Sequence, residues 1–81
     1  MNATLEPVGL LKRYCRDALT PDNRIILAED KLGQRLDYVC REAGLPPEMI
    51  SLYIVNGQVQ SRDYRLQSGD RIKCVAIVGG G

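Results

Sequence analysis

The chain has no histidine, no tryptophan and no phenylalanine, and these gaps narrow its chemistry before any motif is considered. Without histidine the commonest general base and the commonest metal ligand are missing, and with them every serine–histidine or cysteine–histidine nucleophile. Its 4 tyrosines are the only aromatic residues, too scattered to make a platform on which bases stack. Charge of one sign is lacking too. The 11 Lys and Arg residues oppose 10 Asp and Glu, so no net field draws the chain to phosphate backbones or anionic lipid. No run approaches the ~18 apolar residues of a membrane span, and residues 1–7 lack the basic start and apolar centre of an export signal. Cys15, Cys40 and Cys74, with no Cys-x-x-Cys pair, fit neither a disulfide framework nor a zinc knuckle. The expectation is a cytoplasmic protein with reduced thiols, no metal, no nucleic acid and no membrane.

What is present suits one small domain. A chain of 81 residues buries only about 60–65% of the surface its unfolded form exposes, which argues against a large active-site cavity. Residues 8–15 alternate roughly between Leu11, Arg13, Cys15 and Leu10, Lys12, Tyr14, which reads as a first strand, with residues 1–7 as a flexible extension before it. Thr20-Pro21-Asp22-Asn23 predicts a chain reversal. Residues 24–28, with Ile25, Ile26 and Leu27, then make the second strand of a hairpin. Behind Asp30 as N-cap, Leu32, Leu36, Val39, Cys40 and Ala43 recur at helical spacing and predict one amphipathic helix of about twelve residues. Gly44 stands where a left-handed residue ends a helix, and Pro46-Pro47 prevent its resumption.

Residues 51–55 form an apolar, β-prone run into Asn56-Gly57, a strong hairpin signal, with residues 58–60 as the return. The last strand covers residues 71–78, with Ile72, Cys74, Ala76 and Val78 on the core face and Arg71, Lys73, Val75 and Ile77 on the other. Cys40 and Cys74 therefore read as small core hydrophobes, and Cys15 as the most exposed thiol. Tyr14, Tyr38, Tyr53 and Tyr64 read as packing residues. A hairpin, a helix and further strands give an α+β fold, a mixed sheet of four to five strands packed on one main helix.

Val55-Asn56-Gly57, then Leu66-x-x-Gly69-Asp70-x-Ile72, then Val78 and a final Gly80-Gly81 resemble the C-terminal half of the ubiquitin-like β-grasp sulfur carriers. This is the ThiS/MoaD family, which includes the thiamine sulfur carrier and the small subunit of molybdopterin synthase. Asn-Gly and Gly-Asp are weak turn signals singly; their spacing to a diglycine at the end is specific. From Val8 onward the order of hairpin, single helix and strands is also that of the family. Ala76-Ile77 stand where molybdopterin synthase small subunits often carry Pro-Pro, and Val78-Gly79-Gly80-Gly81 is closer to the thiamine carriers. The long first hairpin, residues 8–28, is closer to the molybdopterin type, so the pathway stays open.

The resemblance implies a β-grasp domain over residues 8–78 and a flexible glycine tail over residues 79–81. It implies a carrier and cosubstrate, or the small non-catalytic subunit of a sulfur-transfer enzyme, with no bound cofactor. Gly81 would be the reacting group, next to Gly80. An E1-like enzyme would use ATP to adenylate its carboxylate, and a sulfur donor such as a cysteine desulfurase or a rhodanese-like protein would convert it to a thiocarboxylate. An acceptor synthase, a molybdopterin synthase large subunit or a thiazole synthase, would then take the sulfur in molybdenum cofactor or thiamine biosynthesis. Gly79, Gly80 and Gly81 suit such a role because residues without a Cβ pass through a narrow channel where larger side chains clash. Val78, Ile77 and Val75, apolar residues beside the tail, would touch the partner.

Two other classes compete. The same activated Gly81 could be conjugated to lysines, as in a ubiquitin-like protein modifier. Gln34-Arg35-Leu36-Asp37, Ala43-Gly44-Leu45 and Gly69-Asp70-Arg71-Ile72 also resemble pieces of the S4-type RNA-binding module. That module needs a basic helix where residues 46–54 supply two prolines and no Arg or Lys. A terminal run of glycines also suits a frayed end with no role.

Overall fold

The computed structural model describes residues 2–76. Strands β1 (Thr4–Pro7), β2 (Ile25–Ile26), β3 (Leu52–Val55), β4 (Gln58–Gln60) and β5 (Arg71–Val75) form one sheet in the order β2-β1-β5-β3-β4. β1 and β5 run parallel, and the other neighbours are antiparallel. Among the described residues one α-helix, α1 (Leu36–Glu42), packs its Leu36, Val39 and Cys40 into the core. The result is a small α+β domain with a mixed five-stranded sheet and one main helix.

Pairing register decides which side chains reach that core. Leu5 lies opposite Ile72, which lies opposite Val55, and Pro7 lies opposite Cys74, which lies opposite Tyr53. All six are buried, because residues two apart in a strand share a face. Leu11, Leu45 and Leu66 join them in the cluster. Each such side chain withdrawn from water stabilises the fold by about 1.5–3 kcal/mol.

The expected extension over residues 1–7 is corrected by the structure. Thr4–Pro7 is β1, held between β2 and β5, with Ala3, Leu5 and Pro7 buried. Four residues of alternation ending in proline carry little signal, and proline in a strand normally argues against one. Here it is tolerated for a geometric reason. Thr4 N donates to Asp70 O (2.9 Å) and Val8 N to Cys74 O (3.0 Å), so even-numbered amides face β5. The absent donor of Pro7 faces the other side, where β2 has already ended at the Leu5–Ile25 pair.

Residues 8–15 are not a strand either. Gly9 takes φ +63°, and Gly9–Tyr14 winds into a 3-10 helix. Leu11 and Cys15 are the buried pair, and a spacing of four is helical, not alternating. The strand pairing with β2 is therefore β1, with Thr4 opposite Ile26. The reversal before β2 stands as read: Asn23 has φ 64°, its N–H donates to Thr20 O (2.9 Å), and Arg24 N donates to Thr20 Oγ1 (3.2 Å).

The helix is shorter than its apolar pattern, 7 residues starting at Leu36. Glu29–Lys31 is a separate 3-10 turn, Gly33 takes φ +86°, and Leu32 lies outside the core. Asp30 thus caps no part of α1, whose N-cap is Arg35. The other end behaves as expected. Gly44 has φ +95°, with Leu45 N bonded to Cys40 O (2.9 Å) and Gly44 N to Arg41 O (3.0 Å), the paired bonds of a Schellman stop. Asn56 (φ 52°) and Gly57 (φ 84°) make the two-residue turn between β3 and β4.

Candidate functional site

The sequence directs attention to the end of β5. Ile77, Val78, Gly79, Gly80 and Gly81 lie outside the described residues; of the predicted site only Val75 is placed. It closes β5 opposite Leu52 and is half-buried, so it is less open than an isolated solvent-face residue. Ser51 N donates to Val75 O (2.8 Å), and Val8 N to Cys74 O on the opposite side. The strand is therefore held from both flanks up to its last residues.

The sheet face away from α1 is open. Register sets Ile26 beside Thr4 and Thr4 beside Arg71. A second row runs Glu6, Lys73, Ile54, Val59. Part of this face, with Arg24 and the Asn56-Gly57 turn, forms a groove of about 530 Å³ that mixes Glu6 with Arg24, Arg71 and Lys73 around Ile54. Ile26 and Val59, 58% and 64% exposed, extend it towards both edges. Apolar centres ringed by charge suit protein contact better than small-molecule chemistry.

Asn56 and Asp70, which carried the motif spacing, meet in space. Asn56 Nδ2 donates to Asp70 Oδ1 (2.9 Å), while Tyr64 OH (3.0 Å) and Gln67 N (2.9 Å) both donate to Asp70 Oδ2. Asn56 Oδ1 in turn accepts Arg71 N (2.9 Å), and Asn56 N donates to Arg71 O (2.9 Å). Asp70 is the one buried charged side chain in the described core, at 4% exposure, and these donors compensate its lost hydration. The motif thus ties the β3–β4 turn to the start of β5. Tyr64 was missed as a member of this network, because its spacing to Asp70 has no signature in sequence.

The cysteines divide. Cys40 and Cys74 are buried as read, with Sγ atoms 3.3 Å apart. Cys15, expected to be the exposed thiol, is buried as well, because the 3-10 winding turns it inward with Leu11. Burial pushes its thiol up, and for Cys74 the hydrogen bond shared with Cys40, then burial, does the same. The Tyr53 phenol is raised chiefly by burial, and that of Tyr64 by burial and its bond to Asp70. Tyr53 is buried and Tyr64 half-buried, in keeping with packing roles, whereas Tyr14 and Tyr38 stand exposed.

These shifts all favour the protonated form in the fold. Their contribution to stability is complete below the ordinary thiol and phenol values of 9.0 and 10.0. Above those values the unfolded chain releases protons that the folded chain retains, and stability declines. Thermal melts are expected to be insensitive to these groups up to about pH 9 and to fall steadily beyond it. A transition that rises between about pH 9 and 11 would contradict the burial of these side chains.

No family model, curated protein or solved structure matches this chain. Among the described residues no helix is long and apolar enough to cross a membrane, and no group of three or more His, Cys, Asp or Glu is arranged to hold a metal ion.

Proposed function

We propose that this chain is a β-grasp sulfur carrier whose Gly81 carboxylate is adenylated by an E1-like enzyme and converted to a thiocarboxylate. One observation carries the reading: β5 is an inner strand, flanked by β1 and β3, so the segment that follows Ala76 is attached at the middle of the sheet. A segment attached there has a firm base, and the residues that follow, Ile77-Val78-Gly79-Gly80-Gly81, are small or apolar. The order β2-β1-β5-β3-β4 around one main helix supports the β-grasp assignment, as does the contact between Asn56 and Asp70.

For this function Gly81 must be the protein's last residue, with a free carboxylate. Its oxygen attacks the α-phosphorus of ATP and pyrophosphate leaves. A sulfur nucleophile then attacks the acyl carbon, and AMP departs with the oxygen. Where that nucleophile is a persulfide, a second thiol of the donor cleaves the S–S bond and leaves the sulfur on Gly81. The domain contributes presentation: Gly79 and Gly80 reach into the partner's nucleotide site, while Val75, Ile77 and Val78 meet its entrance. The sulfur then passes to an acceptor synthase in molybdopterin or thiazole formation. An RNA-binding reading is less well supported, since the Pro47–Met49 turn occupies the place of the S4 module's basic helix.

Incubation of the full chain with ATP, an E1-like enzyme and a cysteine desulfurase is expected to add the mass difference of sulfur for oxygen, localised to Gly81 by fragmentation. An isopeptide adduct on lysine would identify a protein modifier instead. An unchanged mass with the cognate activating enzyme would overturn both.

A further inference from the structure

We propose that Cys40 and Cys74 form an internal disulfide, a covalent link between α1 and β5 generated by exchange with a low-molecular-weight disulfide such as oxidised glutathione. Cys40 lies in the second half of α1, and Cys74 on the core face of β5, both with no solvent exposure. Their sulfur atoms stand 3.3 Å apart. A disulfide needs about 2.05 Å, so the remaining approach is on the order of 1 Å, shared by two side chains. This cross-link does not depend on the chemistry of Gly81.

The third thiol is set apart by its surroundings. Cys15 Sγ is directed to the carbonyl oxygens of its own 3-10 run, Leu11 O at 4.0 Å and Lys12 O at 3.9 Å. Among the described residues its sulfur makes no such close contact with another thiol, whereas Cys40 and Cys74 meet directly. The geometry therefore selects one of the possible pairings.

The exchange balances in two steps. One cysteine, as thiolate, attacks a sulfur of the small disulfide, forming a mixed disulfide and expelling one small thiolate. The other cysteine's thiolate attacks the protein sulfur of that mixed disulfide and expels the second. Two protein thiols are oxidised, one small disulfide is reduced to two thiols, and the two protons pass by way of solvent to the departing thiolates or the buffer. Burial keeps glutathione from both sulfur atoms in the closed fold, and the hydrogen bond shared with Cys40, together with burial, holds Cys74 in the unreactive thiol form. The first step thus waits for α1 to lift from the sheet. The helix is suited to such opening: it has 7 residues and no side-chain cap at its N-terminus. Once α1 closes again, the same burial protects the bond from reductants.

The test uses the full chain and oxidised glutathione, in buffer alone and in urea below the unfolding transition. The expected product has lost two hydrogens and carries no adduct. Non-reducing peptide mapping after alkylation should show Cys40 linked to Cys74, with Cys15 alkylated. The link should form severalfold faster in urea, and the linked protein should unfold at higher urea than the reduced one. Cys15→Ala should form the same link at the same rate, and Cys40→Ala should give only a glutathione adduct or none. A bridge that includes Cys15, mixed disulfides that never close, no reaction below the unfolding transition, or a linked fold weaker than the reduced one would each overturn the proposal. Mapping of the unsubstituted chain decides the matter even if Cys40→Ala fails to fold.

Discussion

Removal of Gly81 is expected to abolish activation by the E1-like enzyme while leaving the domain's thermal transition unchanged. The truncated chain still ends in a glycine carboxylate, but that group now falls one residue short, about 3.3–3.6 Å along an extended chain. Reactive geometry tolerates far less: a misplacement of about 1 Å costs on the order of 10²-fold in rate. ATP–pyrophosphate exchange by the partner enzyme should therefore drop by at least about 10²-fold. Stability is expected to hold because every member of the described core cluster lies at or before Ala76, and the backbone bonds that close β5 are made by Ser51 and Val8. Exchange activity that survives the truncation would remove Gly81 from the chemistry. A lowered melting temperature would instead assign residues at the chain's end a structural task.

Replacement of Asp70 acts on the other end of the same strand. Asp70→Ala removes the acceptor for Asn56 Nδ2, Tyr64 OH and Gln67 N together. Losing a charged partner and leaving donors unpaired in a shielded place costs about 2–4 kcal/mol. In a domain this small that corresponds to a fall in Tm of about 10–25 °C. Asp70→Asn keeps the shape but turns one acceptor into a donor facing donors, so it too should destabilise, by less. Paired urea and thermal melts measure both. A shift within about 0.5 kcal/mol for Asp70→Ala, the range of ordinary surface changes, would show that the network does not hold β5 in place.

The parts of this fold that could be read from sequence are those where one local rule is strong. Asn56-Gly57 needs two left-handed residues in a row and has them, Gly44 supplies the left-handed stop of α1, and Ile72 and Cys74 alternate with Arg71 and Lys73 as β5 requires. The parts that escaped are decided by distant partners. Thr4–Pro7 becomes a strand because β5, far along the chain, offers an unoccupied edge and a core for Leu5. Nothing in four residues announces that. Residues 8–15 failed for the opposite reason: an approximate alternation was present, yet Gly9 at positive φ and the burial of Leu11 with Cys15 made the segment helical. Leu32 fits the helical spacing, yet Gly33 at positive φ interrupts the segment before α1 begins at Leu36. At the candidate site, Val75 was legible through strand phase, whereas Tyr64 and the burial of Cys15 needed the third dimension.

The side-by-side placement of β1 and β5 also bears on biogenesis. Both strands lie inside the sheet, yet residues 8–70 separate them, so they must find each other across a long stretch of chain. Such distant contacts slow folding, since closure entropy is spent before any contact rewards it. A growing polypeptide keeps Leu5 in water until residues 71–75 have left the ribosome, and any fragment released sooner lacks the strand against which its first one docks. Folding of the domain is thereby tied to the synthesis of β5: a folded molecule is one whose translation has already run through residues 71–75.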